Sequence, residues 1–433
     1  MCSTIRRMMS QNLLRTLSFF FAGCFLWATG AVADVTVKGF LAARYTSVES
    51  QPSWLTGGLG RLRVGSDTTN DTSTHGLGMA HFAVEASTKH FSAYVHGVAR
   101  TEPDVVSADE AGLVEGYVQF KASPRRNDRF RIRLGQFFLP TSRENVDMLW
   151  SSPYTLTFSA INSWIAEEVR PIGLGFDYDF AIGQIDQLRI GGSYFGGNDT
   201  SGTLLAWRGW SFHDRLTGYD EVMPLPTLDS LAPGGGFYKQ RDDGTLPFGS
   251  DLDDEYGTAY YIRYMRPDKF VLQWTRYDNN GDRGLYHSGP QYEYVWETSF
   301  DLYALEAQLS PSLTVLGEWM TGETGMGFPG SPWVQADFDS AYLMASWTFG
   351  NFRLSTRYDT FETVDRDGYS GSRPNEDGEA ITVALLWDGS DRIRVGLEAI
   401  DVSGDRPDVF EQPLSASLDA TAYSFEFRYY FDF

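Results

Sequence analysis

Cysteine is almost missing from this chain. Its two copies, Cys2 and Cys24, both fall in an amino-terminal stretch that reads as removable. The remainder can then form no disulfide, thiol nucleophile or thiolate metal site. Long apolar runs are also missing: only Leu17 to Gly30 qualifies, so no transmembrane helix is expected beyond it. Lysine is scarce, and 35 basic residues face 57 acidic ones for a net charge of −22. So acidic a chain is a poor partner for nucleic acid, whose phosphates call for cations. With only six histidines, imidazole chemistry has few candidates, and no cofactor or metal is expected.

Aromatics are plentiful by contrast, at 15% of residues, and glycine numbers 44. The carboxyl terminus shows how the aromatics are used. Tyr423, Phe425, Phe427, Tyr429, Phe431 and Phe433 occupy every second position, with Ser424, Glu426, Arg428, Tyr430 and Asp432 between them. A period of two places the two sets on opposite faces of a strand. In a membrane barrel the greasy face meets lipid and the polar face a wet interior.

The other end is consistent with export. Arg6, Arg7 and Arg15 are followed by the apolar run and by Ala31-Val32-Ala33, a small-x-small cleavage pattern. Residues 1–33 read as a signal peptide and 34–433 as one mature barrel domain. Phe21-Ala22-Gly23-Cys24 is close to a lipoprotein box, but apolar residues continue past Cys24 where a tether should begin. Arg6-Arg7 hints at twin-arginine export, though its flanks fit poorly. The closing Phe433 resembles the assembly signal by which the barrel-assembly machinery of Gram-negative bacteria recognises its clients. That resemblance implies location in the outer membrane, among lipid and lipopolysaccharide.

Period-two segments recur from Asp34 onward with no domain break. They are Val35–Ser47, Gly76–Thr88, Phe91–Glu102, Gly112–Ser123, Phe130–Pro140, Ile172–Ala181, Asp186–Asn198, Glu255–Arg266, Lys269–Asp278, Thr298–Leu309, Ser312–Thr324, Asp337–Phe349, Asn351–Phe361, Gly378–Trp387, Arg392–Ser403 and Thr421–Phe433. These predict an all-β transmembrane antiparallel barrel of about 16 strands. Leu204–Phe212 would make the count odd and is read as loop. The links alternate between short, such as Lys89-His90 and Pro267-Asp268, and long, such as Thr141–Pro171 and Asp199–Asp254. Short periplasmic turns opposite long outer loops are a barrel trait, whereas a soluble sandwich has no reason to sort its loops by parity.

Greasy parity fixes the lipid face and assigns the alternate residues to the lumen. Arg44, Arg100, Arg129, Arg131, Arg133, Arg189, Arg353, Arg357, Arg392, Arg394 and Arg428 are then pore-lining. Acids including Asp177, Asp179, Glu318, Asp359, Glu398 and Glu426 share that face. Two readings follow. Any barrel turns its arginines inward, since one facing lipid costs roughly 2–4 kcal/mol, and lumenal salt-bridge networks result. Alternatively the wall is net positive and favours anions, with Arg129-x-Arg131-x-Arg133 its densest patch.

Thr141–Pro171 is the third outer link. It is too apolar for a free loop, holding Trp150, Phe158, Ile161 and Trp164, and greasy loops seek cover. It is expected to fold inward as a constriction loop, with Arg143, Glu144, Asp147, Glu167 and Glu168 facing the wall arginines.

Leu134-Gly-Gln-Phe-Phe-Leu-Pro-Thr-Ser-Arg-Glu144, followed by Val169-Arg-Pro-Ile-Gly-Leu174, resembles the phosphate-selective porins of the O and P type and their porin-like relatives. The match covers about Phe130 to Tyr178. It implies a homotrimeric 16-stranded channel that passes small hydrophilic solutes, anions among them. The lysine clusters that accompany phosphate selectivity are missing here.

Enzyme readings find little. Histidines 81 and 96 point inward on adjacent strands, but no acid–His spacing resembles the phospholipases or proteases of this membrane. Asp251-Leu-Asp-Asp-Glu255 lacks the spacing of a dedicated calcium loop and reads as solvated. Passive diffusion through a channel is the expected function. A channel specific for phosphate or organic acids, a barrel enzyme and an adhesin are the alternatives. Amino-terminal sequencing of the protein from membranes is expected to begin at Asp34; an intact leader would overturn the export reading.

Overall fold

The computed structural model describes residues 33–66, 71–101, 110–125, 127–241, 243–248, 251–287, 293–369, 374–406 and 417–433. The expected leader, apart from Ala33, lies outside them. The strands are β1 Asp34–Glu49, β2 Thr72–Ser87, β3 Phe91–Thr101, β4 Ala111–Ala122, β5 Arg129–Gln136, β6 Ile172–Ile182, β7 Asp186–Gly196, β8 Gly257–Arg266 and β9 Phe270–Asp278. They continue as β12 Glu297–Ser310, β13 Leu313–Met326, β14 Val334–Phe349, β15 Phe352–Asp365, β16 Glu376–Ser390, β17 Ile393–Asp405 and β18 Ala420–Asp432. Between β9 and β12, β10 Tyr286–His287 and β11 Glu293–Tyr294 form a separate two-stranded ladder that periodicity did not suggest.

The other sixteen close into one antiparallel barrel, each paired with its chain neighbours. Closure falls between the first and last strands, where Phe40 opposes Tyr430 and Arg44 opposes Glu426. All sixteen expected strands are present, with ends shifted by a few residues. Short turns at 88–90, 183–185, 267–269, 311–312 and 350–351 share one end of the cylinder with both termini, and the long links share the other. Leu204–Phe212 is loop, containing the short helix α2 Thr203–Trp207; helix α1 is Ala160–Glu168.

One boundary differs for a physical reason. The expected fifth strand runs to Pro140, but β5 stops at Gln136. Gly135 has φ +135°, a region that favours glycine. A Cβ there would sit 2.2 Å from the Gly116 carbonyl oxygen. The chain leaves the wall at this point.

The outer surface follows the alternation. Leu41, Leu174, Leu305, Leu343, Ile381, Leu397 and Phe425 are exposed, and the inward Glu426 and Arg428 beside Phe425 are buried. Only lipid makes such a girdle favourable. Trp274 and Trp319 mark one edge, their indole N–H groups donating to Asp301 (2.8 Å) and Asp339 (3.0 Å), as amphipathic rings do at an interface. Trp347, Phe349, Phe352 and Trp387 sit exposed near the turn end.

The inner surface departs from expectation. Polar residues were assigned to the lumen throughout, yet Phe300, Leu302, Leu316, Met320, Phe338, Phe361, Ile400 and Val402 point inward and are buried. Phe300, Leu302, Phe338, Phe361 and Val402 lie toward the long-loop ends of their strands, Met320 and Ile400 near the middle and Leu316 nearer the turn. They have apolar partners because loops fold in against them, which period two cannot reveal. Leu343 lies between the edge aromatics and is 61% exposed. Leu343→Arg is expected to destabilise the lipid-embedded barrel by about 2–4 kcal/mol, measured by urea refolding in vesicles. A change under 0.5 kcal/mol would argue against a lipid-facing Leu343.

Candidate functional site

Residues 137–171, the third long link, lie against inward side chains of the far wall. The backbone N–H of Arg143 donates to Glu318 of β13, and its Nε to Glu306 of β12 at 3.2 Å. Glu144 pairs with Arg357 of β15 at 2.6 Å. Arg357 also pairs with Asp359 at 2.7 Å and donates to the carbonyls of Thr157 (2.7 Å) and Phe158 (3.0 Å). The Leu156 N–H donates to Glu398 of β17 at 2.6 Å. Helix α1 is capped by Ser159, whose hydroxyl accepts from the Asn162 N–H, satisfying an orphan donor. Its Trp164 meets Phe300, Phe338 and Trp210 edge-on at 5.3–6.2 Å between centroids. The segment carries strain at Leu149 and Trp150, both near φ +57°. The parallel stack of Trp150 on Phe138, 4.2 Å apart, holds it there.

Two further links enter the same space. Residues 50–66 and 197–241 meet at a bridge between Leu62 and Phe212, and Trp54, Trp210 and Phe212 are buried. Ion pairs tie these links to the wall and to one another. Asp214 lies between Arg44 of β1 (2.7 Å) and Arg63 (2.9 Å). Glu221 lies between Arg100 of β3 (2.6 Å) and Arg215. Glu167 takes Arg208 (2.7 Å) and His213 (3.0 Å), and Glu376 of β16 takes Arg61 and Arg406 (3.7 Å).

Burial would raise the Glu167 carboxyl, but Arg208 and His213 override it and hold it at about 2. Glu168, with no ion-pair partner among the described residues, is pushed up to about 7 by burial, the Arg208 charge lowering it least. Hydrogen bonds from Leu204, Trp164 and Gly202 only partly offset the burial.

These contacts place the arginines in three groups. Arg44, Arg100, Arg357 and Arg428, expected on an open wall, are at most 7% exposed and enclosed by protein partners. Arg428 lies over the Phe40 ring at 4.3 Å and bonds Glu426 at 3.0 Å. Arg131, Arg133 and Arg189 keep partial exposure and form a ladder with Asp177 and Asp179. Arg131 reaches both acids (3.3 and 3.1 Å), Arg133 reaches Asp177 (3.1 Å) and Arg189 reaches Asp179 (3.1 Å). Arg353 and Arg394 line a cavity at the turn end. One position needs correction: Arg392 sits exposed in the turn after β16 rather than on the wall. Arg129, opposite Asp179 with the parity of Arg131, is exposed at the first residue of β5.

The constriction-loop acids divide likewise. Glu144, Glu167 and Glu168 are sealed from solvent and do not oppose free arginines; Asp147 reaches Arg394 at 3.5 Å. The partners Arg61, Arg63, Asp214 and Glu221 went unrecognised, because links read as outer loops gave no parity to assign them inward. The inward histidines are adjacent, their rings 5.7 Å apart, with His81 stacked on Phe40 and His96 3.6 Å from Glu115. No third ligand joins them among the described residues. The one group there with metal-ligating spacing is Asp199, Asp251 and Asp253, which adds a distant acid to the run read as solvated.

No protein family matches the sequence, and no curated protein does. Solved structures do. The outer membrane channel DcaP of Acinetobacter baumannii aligns over 93% of this chain and 99% of its own, at 9% identity and a TM-score of 0.53. An anion-selective porin from Comamonas acidovorans aligns over 92% and 100%, at 10% identity and 0.53. OmpF of Salmonella typhi aligns over 90% and 97%, at 11% identity and 0.51. At such identity the likeness is one of fold: this chain has the 16-stranded fold of outer-membrane porins.

Arg357→Met strands Glu144 and Asp359, and breaking a buried pair costs about 3–5 kcal/mol. Residues 137–171 are expected to become protease-sensitive in a still-folded barrel; unchanged protection would show that Arg357 does not hold them. Asp199, in the link after β7, is pushed up to about 7 by burial and by Asp253 and Asp251, against a hydrogen bond from the Leu252 N–H. A carboxyl raised in the folded state favours folding most below its ordinary value. That contribution is lost as pH rises through about 7. Corrected for intrinsic rates, amide exchange in 197–256 is expected to speed up from pH 5 to pH 8, and Asp199→Asn to flatten the trend.

Proposed function

We propose that the protein is a passive channel for small hydrophilic solutes in the outer membrane of a Gram-negative bacterium, working as a homotrimer. What carries the reading is a closed barrel with a lipid girdle, crossed inside by a tethered segment that leaves charged side chains toward the turn end. The fold shared with DcaP and the anion-selective porin supports it. Phe433, 78% exposed and stacked on Phe431, is free to serve as the assembly signal. A channel accounts for these features without any catalytic group.

The finer reading concerns charge. Anion preference, for phosphate or organic acids, draws support from Arg263 and Arg353, whose contacts among the described residues are neutral: Gln273 and the Pro140 carbonyl for one, Ser346 and the Tyr154 ring for the other. The Arg131–Arg133–Arg189 ladder is shared with two aspartates, so its field on a passing ion is small. Replacing both aspartates, Asp177→Asn with Asp179→Asn, is expected to shift the reversal potential in a salt gradient toward anion selectivity. An unchanged potential would take the ladder off the permeation path. A second reading is favoured by the aromatic packing of three links inside the long-loop half: a sealed barrel whose outer links bind a partner. Planar-bilayer recording of the purified protein separates the two, since conductance steps are expected of a channel and silence of a sealed barrel.

A further inference from the structure

At the turn end, on the inner side, lies a cavity of about 460 Å³. Its charged lining is Asp147 from the crossing segment, Arg353 of β15, Asp388 of β16, Asp391 of the following turn and Arg394 of β17, with Tyr430 beside them. The volume is within the range of small-molecule sites.

The charges are unequally occupied. Arg394 is taken by Asp388 at 2.7 Å and by Asp147 at 3.5 Å, and its guanidinium lies 5.6 Å from the Tyr430 ring. Arg353 has no carboxylate partner among the described residues. One nitrogen donates to the Ser346 hydroxyl at 3.1 Å, and its plane covers the Tyr154 ring at 5.1 Å. Stacking fixes the guanidinium while leaving most of its five donors unused, which is how a carboxylate is captured by a fork. Asp391 is exposed and makes no ion pair among the described residues. One cation and one anion are thus left over in a single chamber.

We propose that this cavity binds small zwitterions bearing both an ammonium and a carboxylate, an amino acid being the simplest. The carboxylate pairs with Arg353 and the ammonium with Asp391, backed by Asp388 and Asp147. A solute with carboxylates alone meets three acids against two arginines. One with ammonium groups alone leaves the Arg353 fork unanswered. Neither gains both pairs, and specificity is that difference. The proposal rests on the channel reading only for how the solute arrives.

The test reads binding rather than transport. Saturation-transfer NMR on the full-length detergent-solubilised protein is recorded with L-glutamine, against succinate and putrescine as competitors. Saturable transfer to glutamine is expected, displaced by L-alanine but at least about tenfold less effectively by succinate or putrescine. Arg353→Gln and Asp391→Asn are each expected to weaken binding about tenfold, the loss of one charge-assisted contact; Arg353→Lys should restore part of it. Asp391 lies in an exposed turn, so its variant tests the site should Arg353→Gln disturb the Tyr154 stack. Absence of saturable transfer in the wild type, displacement by succinate as strong as by L-alanine, or unaltered binding in Asp391→Asn would each overturn the proposal. Binding without conductance keeps the site and removes the channel reading; conductance without binding does the reverse.

Discussion

Between β1 and β18 the register runs unbroken from Lys38 opposite Asp432 to Glu49 opposite Thr421, and this seam decides what the chain can be. In hydrocarbon an unsatisfied backbone N–H or C=O costs several kcal/mol, so a sheet spans a membrane only without an edge. Once the seam is made, every outward position of the sixteen barrel strands within the apolar band meets lipid and every inward one an enclosed space. A register slip of one residue would exchange the faces, burying Phe425 and turning Arg428 toward lipid. The alternation in residues 423–433 is therefore a constraint on register as much as on composition.

That constraint is why the architecture was legible. Strand count, turn parity and lipid face need only period two and loop length, and Leu134, Leu174, Ile381 and Phe427 fell on the side their spacing required. The interior was less legible. Parity states which residues point inward but not what they meet. Arg44 and Arg353 have the same sequence signature, yet one is sealed between Asp214 and Glu426 and the other stacks on Tyr154 beside a cavity. The difference is made by Asp214, which sits in a link with no periodicity. Likewise the inward Phe300 and Phe338 broke no rule of alternation; they are apolar because Trp164 arrives from a link far away in the sequence. Gly135 was a visible signal: a glycine closing a strand, where the chain turns off the wall.

Charge inside the barrel is arranged so that one carboxylate answers two cations from different segments. Asp214 joins β1 to residues 50–66, Glu221 joins β3 to the link it sits in, and Glu376 joins β16 to the first and last links. Buried pairs add little net stability over apolar packing, because desolvation offsets attraction. What they do supply is directional. A guanidinium fork accepts a carboxylate in few orientations, whereas the aromatic contacts of Trp164 and Trp210 tolerate sliding. The apolar side chains fill the space and the pairs fix how it is filled.

The same arrangement bears on permeation. A paired charge presents a dipole to a passing solute, and its field falls off faster than that of a lone ion. In the long-loop half most charges are paired and buried, so in the proposed channel selection there would rest on size and shape. Toward the turns the ladder of Arg131, Arg133 and Arg189 is partly exposed and shares two aspartates, and on another part of the wall Arg353 and Asp391 have no ion pair among the described residues. On the proposed channel reading, electrostatic choice among solutes would fall at the inner mouth, where Asp147 of the crossing segment joins the charged lining. A chain with net charge −22 need not be a cation channel, because the charges that count are the few left without a partner.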